Sequence, residues 1–455
     1  MQDETHMPAQ SRPFEVTNRL ALAIAVPMTL AYLTTPVLGL VDTAVVGQFG
    51  DAALLGGLAA GAIVFDVVFT TFNFLRSGTT GLVAQAFGRD DAREEQAVFW
   101  RAAMIALASG VVLVLLGPLI ALAGTWFIDP EPRVADAMRT YVGIRMFAAP
   151  LTLLNYAILG YVLGRGEGAF GLLLQMVLNG ANIALSIWLG LHLGWGIEGV
   201  AWGTVGGELI GAVAGLTLVL MRFRRAPRLN RAELFDVAAI GRMVSVNRDI
   251  MIRSFVLLAA FALMTRQGAQ LGTRTLAANA VLMNFFLVSG YFLDGFATAA
   301  EQLAGRAVGA RYRPAFDRAV RLTAIWGFGL AVALTALFMV AGDAIVALVT
   351  TAEGVRVAAA GYLPWAAFTA ISGVLAFQMD GVFIGATWSR DMRNMMLLSF
   401  AAYLAALYAL PVAFGNHGLW AALHVFLIVR GISLYLVMGR RARETFGNLP
   451  WVADP

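Results

Sequence analysis

Long apolar runs, separated by short polar connections, fill most of this chain. Runs of about 20 apolar residues are long enough to cross a bilayer as an α-helix, whereas a β-barrel shows short alternating segments. The pattern therefore predicts an all-α polytopic membrane protein. The twelve predicted spans cover 16–48, 53–84, 96–124, 134–163, 168–192, 196–221, 238–270, 275–304, 316–349, 355–384, 394–414 and 418–439.

The composition agrees with this prediction. Of the 455 residues, 59% are hydrophobic and 13% are charged, and the mean hydropathy is +0.75. A water-soluble domain does not hide that much apolar surface. The chain has no cysteine, which excludes disulfides and thiolate metal sites. Because the polar residues 1–13 lead directly into a long span, we expect no cleavable signal peptide.

The basic residues fix the expected orientation. All 32 are arginine, and they concentrate in the N-terminal tail and in every second connection. Since cytoplasmic loops are enriched in basic residues, both termini are expected in the cytoplasm, and an even number of spans agrees. The clusters are Arg89, Arg93; Arg165; Arg222, Arg224, Arg225, Arg228, Arg231; Arg306, Arg311, Arg313, Arg318; Arg390, Arg393; and Arg440, Arg441, Arg443.

An internal repeat divides the chain. Gln48 and Gly50 recur as Gln270 and Gly272, 222 residues later, and GYVLG at 160–164 recurs as GVFIG at 381–385. Trp202 recurs as Trp420. Six spans per copy is an even number, so the copies are related by a pseudo-two-fold axis along the membrane normal. We predict two six-helix lobes, with boundaries at 1–15 (cytoplasmic tail), 16–225, 226–240 (inter-lobe loop), 241–440 and 441–455 (cytoplasmic tail).

The most informative segment is Thr34–Gly50, which contains the carboxylate Asp42 among apolar and small residues. An ionised carboxylate within a span costs a few kcal/mol even on lenient scales, so such residues are usually functional. Burial favours the neutral form of a carboxyl group, which makes Asp42 a candidate proton carrier. Pro27 and Pro36 interrupt the hydrogen bonding of the same helix and allow it to bend. The alternative is a static pairing of Asp42 with a donor on another helix.

Further polar residues of the first half can line the same cavity. Asn179, Asn182 and Ser186 share one face of the fifth span. Thr204 and Glu208 share a face of the sixth. With Asp42 these side chains offer oxygen ligands to a proton or a small hard cation, or else form a network that only joins helices.

Other candidates lie at membrane depth in both halves. Asp66 is mid-span without a neighbouring cation. Asp249 and Arg253, four residues apart, are expected to form a structural ion pair. Met and aromatic side chains suit an adaptable apolar pocket. The substrate-cavity candidates are Tyr141, Asn155, Asn179, Asn279, Met283, Asp294 and Asp380.

Several motifs together resemble the multidrug and toxic compound extrusion (MATE) family, with the DinF-like branch nearest. They are GLVDTAVVGQFGD (39–51), FLRSGTTGLVAQAFG (74–88), LNGANIALSIW (178–188), VNRDIMIRS, ANAVLM, YFLDGFA and MDGVFIGAT. The resemblance implies a V-shaped pair of lobes. It also implies an ion site in the first lobe, which carries over to Asp42, Asn182, Ser186 and Thr204. Ser186 departs from the carboxylate that is frequent in the family, and this shifts the expectation from sodium toward protons.

From this resemblance we expect a secondary active efflux antiporter of the bacterial inner membrane. It would export cationic or amphipathic small molecules in exchange for H⁺, with Na⁺ as the alternative ion, and protonation of Asp42 would be the coupling step. Asp66 or Glu208 would supply the second negative charge that Ser186 lacks. We expect a monomer, with no catalytic residue, cofactor, metal or nucleic-acid partner. The rival is a flippase for a lipid-linked precursor, which would have an arginine-lined cavity.

Overall fold

A computed structural model of the protein describes residues 14–447, so most of the predicted tails at 1–15 and 441–455 falls outside the described residues. Within that range all regular structure is helical, which confirms the all-α prediction. The helices are Asn18–Gly47, Ala52–Thr71, Phe74–Gly88, Ala92–Ile128, Pro132–Met146, Ala149–Gly164, Gly168–Ile187 with the π-helical turn Trp188–His192, Gly196–Phe223, Arg231–Leu234, Val237–Gln270, Thr273–Gly309, Arg313–Val349, Glu353–Gly385 and Ser389–Phe446.

These helices make twelve membrane spans, as predicted. Span 2 consists of Ala52–Thr71 and Phe74–Gly88, and span 4 consists of Pro132–Met146 and Ala149–Gly164, which meet at a bend of 53°. The segment Ser389–Phe446 has 58 residues, which as one straight helix would measure about 87 Å, far more than the about 30 Å of a hydrocarbon core. Gly415 (φ 54°, ψ −131°) divides it into spans 11 and 12.

Spans 1–6 form the first lobe and spans 7–12 the second. Because consecutive spans alternate in direction, the arginine-rich ends that carry Arg89, Arg165, Arg313, Arg390 and Arg440 lie on one side of the molecule, here called the basic side. On this side Asp236 caps the first turn of span 7. The backbone N–H groups of Ala238 and Ala239 donate to its carboxylate and lower the pKa of Asp236.

The repeated motif makes equivalent contacts in both lobes. In the first, Gly160 and Gly164 of span 4 lie against the backbone of Arg76 and Thr80 in span 2. In the second, Gly381 and Gly385 of span 10 lie against the backbone of Ala297 and Glu301 in span 8. The partners are separated by the same 221 residues as the glycines. The pseudo-symmetry therefore extends to individual helix contacts.

The lobes touch on the basic side. Span 8 packs against span 1 and against the second helix of span 2. The approach is close because a β-carbon at Gly88 would meet the backbone of Arg306, and one at Gly309 would meet the backbone of Gln85. By contrast, Ala52–Thr71, the first helix of span 2, has only a small contact with span 7. The lobes therefore close a cleft on the basic side and separate toward the opposite side.

Candidate functional site

Asp42 lies inside the first lobe, on the segment of span 1 that packs against spans 5 and 6. Its side chain is buried, with 6% of the residue exposed. One carboxylate oxygen, Oδ1, has no hydrogen-bond partner among the described residues. A buried oxygen without a donor is costly when it is charged, and protonation of the carboxyl group removes much of that cost. The donor that another helix brings to Asp42 is the neutral hydroxyl of Ser186.

Spans 5 and 6 bring Ser186 to Asp42 and place Asn182 and Thr204 next to Ser186. The Ser186 hydroxyl faces the Asp42 carboxylate and lies 3.1 Å from the amide oxygen of Asn182. Thr204 donates to the carbonyl oxygen of Val200 at 3.2 Å. The approach is possible because Gly203, beside Thr204, leaves room for the backbone of Ser186. The buried Asn182 Nδ2 also has no partner among residues 14–447.

A cation that the sequence reasoning missed stands opposite this group. Arg145 is the second-last residue of Pro132–Met146, next to the bend of span 4. It donates to the hydroxyl of Tyr141 at 2.9 Å, and its guanidinium lies 4.1 Å from the centre of the Phe65 ring. It is near enough to act electrostatically on Asp42, Asp66 and Glu208. No spacing in the sequence marks this arginine as part of a site, because it lies in the polar half of span 4.

Two further carboxylates border the cleft. Asn155 donates its amide to Glu208 Oε2 at 2.7 Å and to the Glu208 carbonyl oxygen at 3.0 Å. Asp66 is exposed and acts electrostatically on Tyr291 in span 8 of the other lobe. Asp66 is within electrostatic range of Arg145 in its own lobe and of Tyr291 in the other lobe. We therefore place its side chain at the space between the lobes.

In the second lobe the acidic side chains lie close to arginines. Asp380 is buried and forms ion pairs with Arg253 and Arg430. Glu301 pairs with Arg76 of the first lobe at 3.6 Å. Asp294 is half-buried and within electrostatic reach of the same three arginines. Three carboxylates thus meet three guanidinium groups, and the cluster is balanced.

The predicted pair of Asp249 with Arg253 is wrong. Asp249 accepts hydrogen bonds from Arg393 at 2.7 Å and from Ser389 at 3.0 Å. Arg253 reaches Asp380 on span 10 instead. Helical spacing made the local pair possible, but tertiary partners from other spans displaced it.

The remaining candidates lie apart from Asp42. Asn279 is buried in an amide network with Asn416 (2.7 and 2.9 Å) and Trp420 (2.9 Å). Asn179 donates to Thr34 at 2.6 Å, and Met283 packs at the edge of the second-lobe core. Span 1 runs through Pro27 and Pro36 as one continuous helix.

A groove of about 700 Å³ lies elsewhere, between spans 3 and 4. Its lining is largely apolar and contains none of the candidate residues. We therefore place the candidate site at Asp42 and the adjoining cleft, where ionisable groups converge, and not in this groove.

Comparisons with known proteins agree with the fold. The MatE family model matches residues 27–188 and 250–409, one segment in each lobe. The chain is 36% identical over 427 residues to the DNA damage-inducible protein F of Escherichia coli K12, covering 92% of each chain. It is 27% identical to the probable multidrug resistance protein NorM of Rhizobium meliloti, covering 88% of this chain and 89% of that one. A solved structure described as MATE in the straight conformation superposes with a TM-score of 0.85, at 16% identity and with 96% and 97% coverage.

Proposed function

The chain belongs to the MatE family of membrane transporters, and from that premise we propose that it exports cationic or amphipathic small molecules in exchange for protons. It is a transporter and not an enzyme. The observation that carries the proposal is Asp42, a buried carboxylate with one oxygen unpartnered, beside a cleft in which acids outnumber bases. Asp42, Asp66 and Glu208 all lie within electrostatic range of Arg145.

The groups around Asp42 favour a proton over sodium. Asn182, Ser186 and Thr204 are neutral, so Asp42 is the only charged oxygen ligand in the group. A hard cation is held best by several oxygen ligands that include carboxylates. A proton needs only one. Sodium remains the alternative that the experiment below distinguishes.

The distribution of arginine indicates the orientation of the protein in the membrane. By the positive-inside rule the basic side faces the cytoplasm of a bacterial inner-membrane protein. The lobes touch on that side, so the described conformation is open to the outside. Since the repeat supplies both lobes, one chain is sufficient for alternating access.

Transport follows from the charge of Asp42. In the outward-open state the ionised carboxylate favours the bound cation, and entry of a proton neutralises Asp42 and releases the substrate. The neutral carboxyl group tolerates a drier site, so the lobes can rock and open inward. A monovalent cation exchanged for one proton is driven by the pH gradient alone, ~1.4 kcal/mol per unit. Each additional proton adds ~2.3 kcal/mol per 100 mV.

The decisive experiment uses inverted membrane vesicles with a fluorescent lipophilic cation and an imposed pH or Na⁺ gradient. We expect uptake with the pH gradient, little with the Na⁺ gradient, and about a hundredfold loss in Asp42→Asn, which keeps the shape but cannot ionise. Asp343→Asn is the matched control because it removes an exposed carboxylate of the second lobe. Full pH-driven uptake by Asp42→Asn, or uptake with Na⁺ alone, would contradict proton coupling through Asp42.

A flippase for a lipid-linked precursor fits less well. Such a substrate is anionic, whereas three carboxylates surround Arg145 in the first lobe, and Arg76, Arg253 and Arg430 are balanced by carboxylates. We therefore retain export of cationic and amphipathic compounds as the proposed function.

A further inference from the structure

Arg145 differs from the other arginines at membrane depth. Arg76, Arg253 and Arg430 each have a carboxylate partner within 4 Å. For Arg145, the hydrogen bond from Nη1 to the Tyr141 hydroxyl is the one polar contact that residues 14–447 provide. A guanidinium has five N–H donors, so four are left unused.

The unused donors face open space. The side chain of Arg145 is half-buried, and its nitrogens are absent from the buried polar atoms that lack a partner. Those N–H groups are therefore accessible from the cleft and not trapped between helices. The three carboxylates within its electrostatic range, Asp42, Glu208 and Asp66, form no ion pair with it among the described residues, which leaves the charge available to a ligand.

Aromatic rings hold the guanidinium in place. It lies 4.1 Å from the centre of Phe65 and 5.4 Å from that of Tyr141. The two rings meet edge to face, with centroids 6.0 Å apart. Stacking of this kind fixes the plane of an arginine, and its free edge then presents parallel donors that suit a carboxylate. The arrangement is preorganised for a planar anion beside an apolar aromatic surface.

We propose that Arg145 is a specificity determinant that binds the anionic group of amphipathic substrates. The preferred substrates then carry a carboxylate and a cation on one aromatic body. Arg145 accepts the carboxylate, while Asp66, Glu208 and Asp42 attract the cation. This inference rests on the proposed export function and refines its substrate class.

Two dyes that differ in one group provide the test. Tetramethylrhodamine has a cationic ring system and a free carboxylate, and its methyl ester has the same cation without the anion. Binding of both to the purified full chain in lipid nanodiscs is measured by fluorescence anisotropy. We expect Arg145→Met to weaken binding of the free acid by about tenfold, since a partly desolvated charge pair is lost. Binding of the ester should stay the same or become tighter, because a positive charge has left the cleft.

Control variants separate this role from a structural one. Arg139→Met removes an exposed arginine of the same helix that pairs with Asp136, and it should leave both dyes unaffected. Arg145→Lys keeps the charge but loses the forked donors, so we expect about a threefold loss for the free acid only. This second variant also reports if the methionine variant folds poorly.

The outcomes are distinguishable. An equal loss for both dyes in the Arg145 variants, or no loss for either, would overturn the role of Arg145 while leaving export intact. Failure of the unmodified protein to bind either dye contradicts the proposed export function and this inference together.

Discussion

Equivalent positions in the two lobes carry opposite chemistry. Asp42 precedes Gln48 by six residues, and Met264 precedes the repeat partner Gln270 by six. Thr204 and Glu208 follow Trp202 by two and six residues, and Ala422 and Phe426 follow Trp420 by the same numbers. Met264, Ala422 and Phe426 all belong to the apolar core of the second lobe. The acid pocket of one lobe is therefore a packed hydrophobic core in the other.

The difference shows what the duplication preserved. Both lobes keep the glycine contacts by which span 4 lies on span 2 and span 10 on span 8. Their ionisable groups do not correspond. Asp42 has the neutral hydroxyl of Ser186 beside it, whereas Asp380 forms ion pairs with two arginines. The two lobes therefore share their helix contacts but not the placement of their ionisable groups.

Placing a carboxylate at the second-lobe position should have the largest effect. Met264 is 4% exposed, so Met264→Asp introduces a buried charge without a donor and should lower the free energy of unfolding by about 3 kcal/mol or more. The measurement is the yield of monodisperse protein after extraction and stepwise heating, followed by size-exclusion chromatography. Met264→Leu, which keeps the volume, is the control and should cost less than about 1.5 kcal/mol.

If Met264→Asp were as stable as the unmodified protein, the second-lobe core would tolerate an acid. The contrast between the lobes would then reflect sequence drift and not packing.

Sequence patterns were sufficient for the frame because span length, arginine distribution and glycine spacing are properties of single segments. Periodicity and motifs predicted the twelve spans and the resemblance to the MATE family. They also predicted the group that Ser186 forms with Asp42 and Asn182. The partners of charged side chains did not follow. Arg253 lies four residues from Asp249 but pairs with Asp380, 127 residues away.

Arg145 was missed for a related physical reason. In the sequence it is one arginine in the polar half of a span. Pro150 marks a helix break nearby, but its position does not give the bend of 53° between the two halves. The bend and the rings of Phe65 and Tyr141 give the guanidinium its position, and Phe65 belongs to span 2. Side chains that meet only through tertiary packing have no fixed spacing in the sequence, so their contact cannot be predicted from it.

The balanced cluster of the second lobe provides the next test. Asp380→Ala leaves the buried Arg430 and the half-buried Arg253 without the carboxylate that they share, and removing one partner of a buried ion pair costs about 3–5 kcal/mol because the other charge is uncompensated. We expect a marked loss of thermal stability in the same assay. The double variant Asp380→Ala with Arg430→Met should recover part of it. In contrast, Asp42→Asn should have the extraction yield and thermal stability of the unmodified protein, since Asp42 forms no such ion pair. Equal losses of thermal stability in Asp42→Asn and Asp380→Ala would contradict the distinction between the lobes.

The smallest expected effects come from the two other acids of the first lobe. Glu208 is held by Asn155, whereas Asp66 is exposed in the cleft. Glu208→Gln should therefore lower the number of protons released per bound cation by about half, because Asp42 still releases one, and Asp66→Asn should mainly weaken cation binding, by about fivefold because its charge is partly solvated. Proton release from purified protein on substrate addition, measured with a pH-sensitive dye, separates the two.

A matched control is available on the helix that carries Glu208. Glu198→Gln removes an exposed carboxylate in the first turn of that helix and should change neither quantity. Since Ser186 supplies no charge, a second acid has to act with Asp42 if more than one proton moves per cycle. Unchanged proton release and unchanged binding in both acid variants would leave Asp42 as the sole carrier. Exchange of a monovalent cation would then be electroneutral, and a membrane potential imposed without a pH gradient should drive no export.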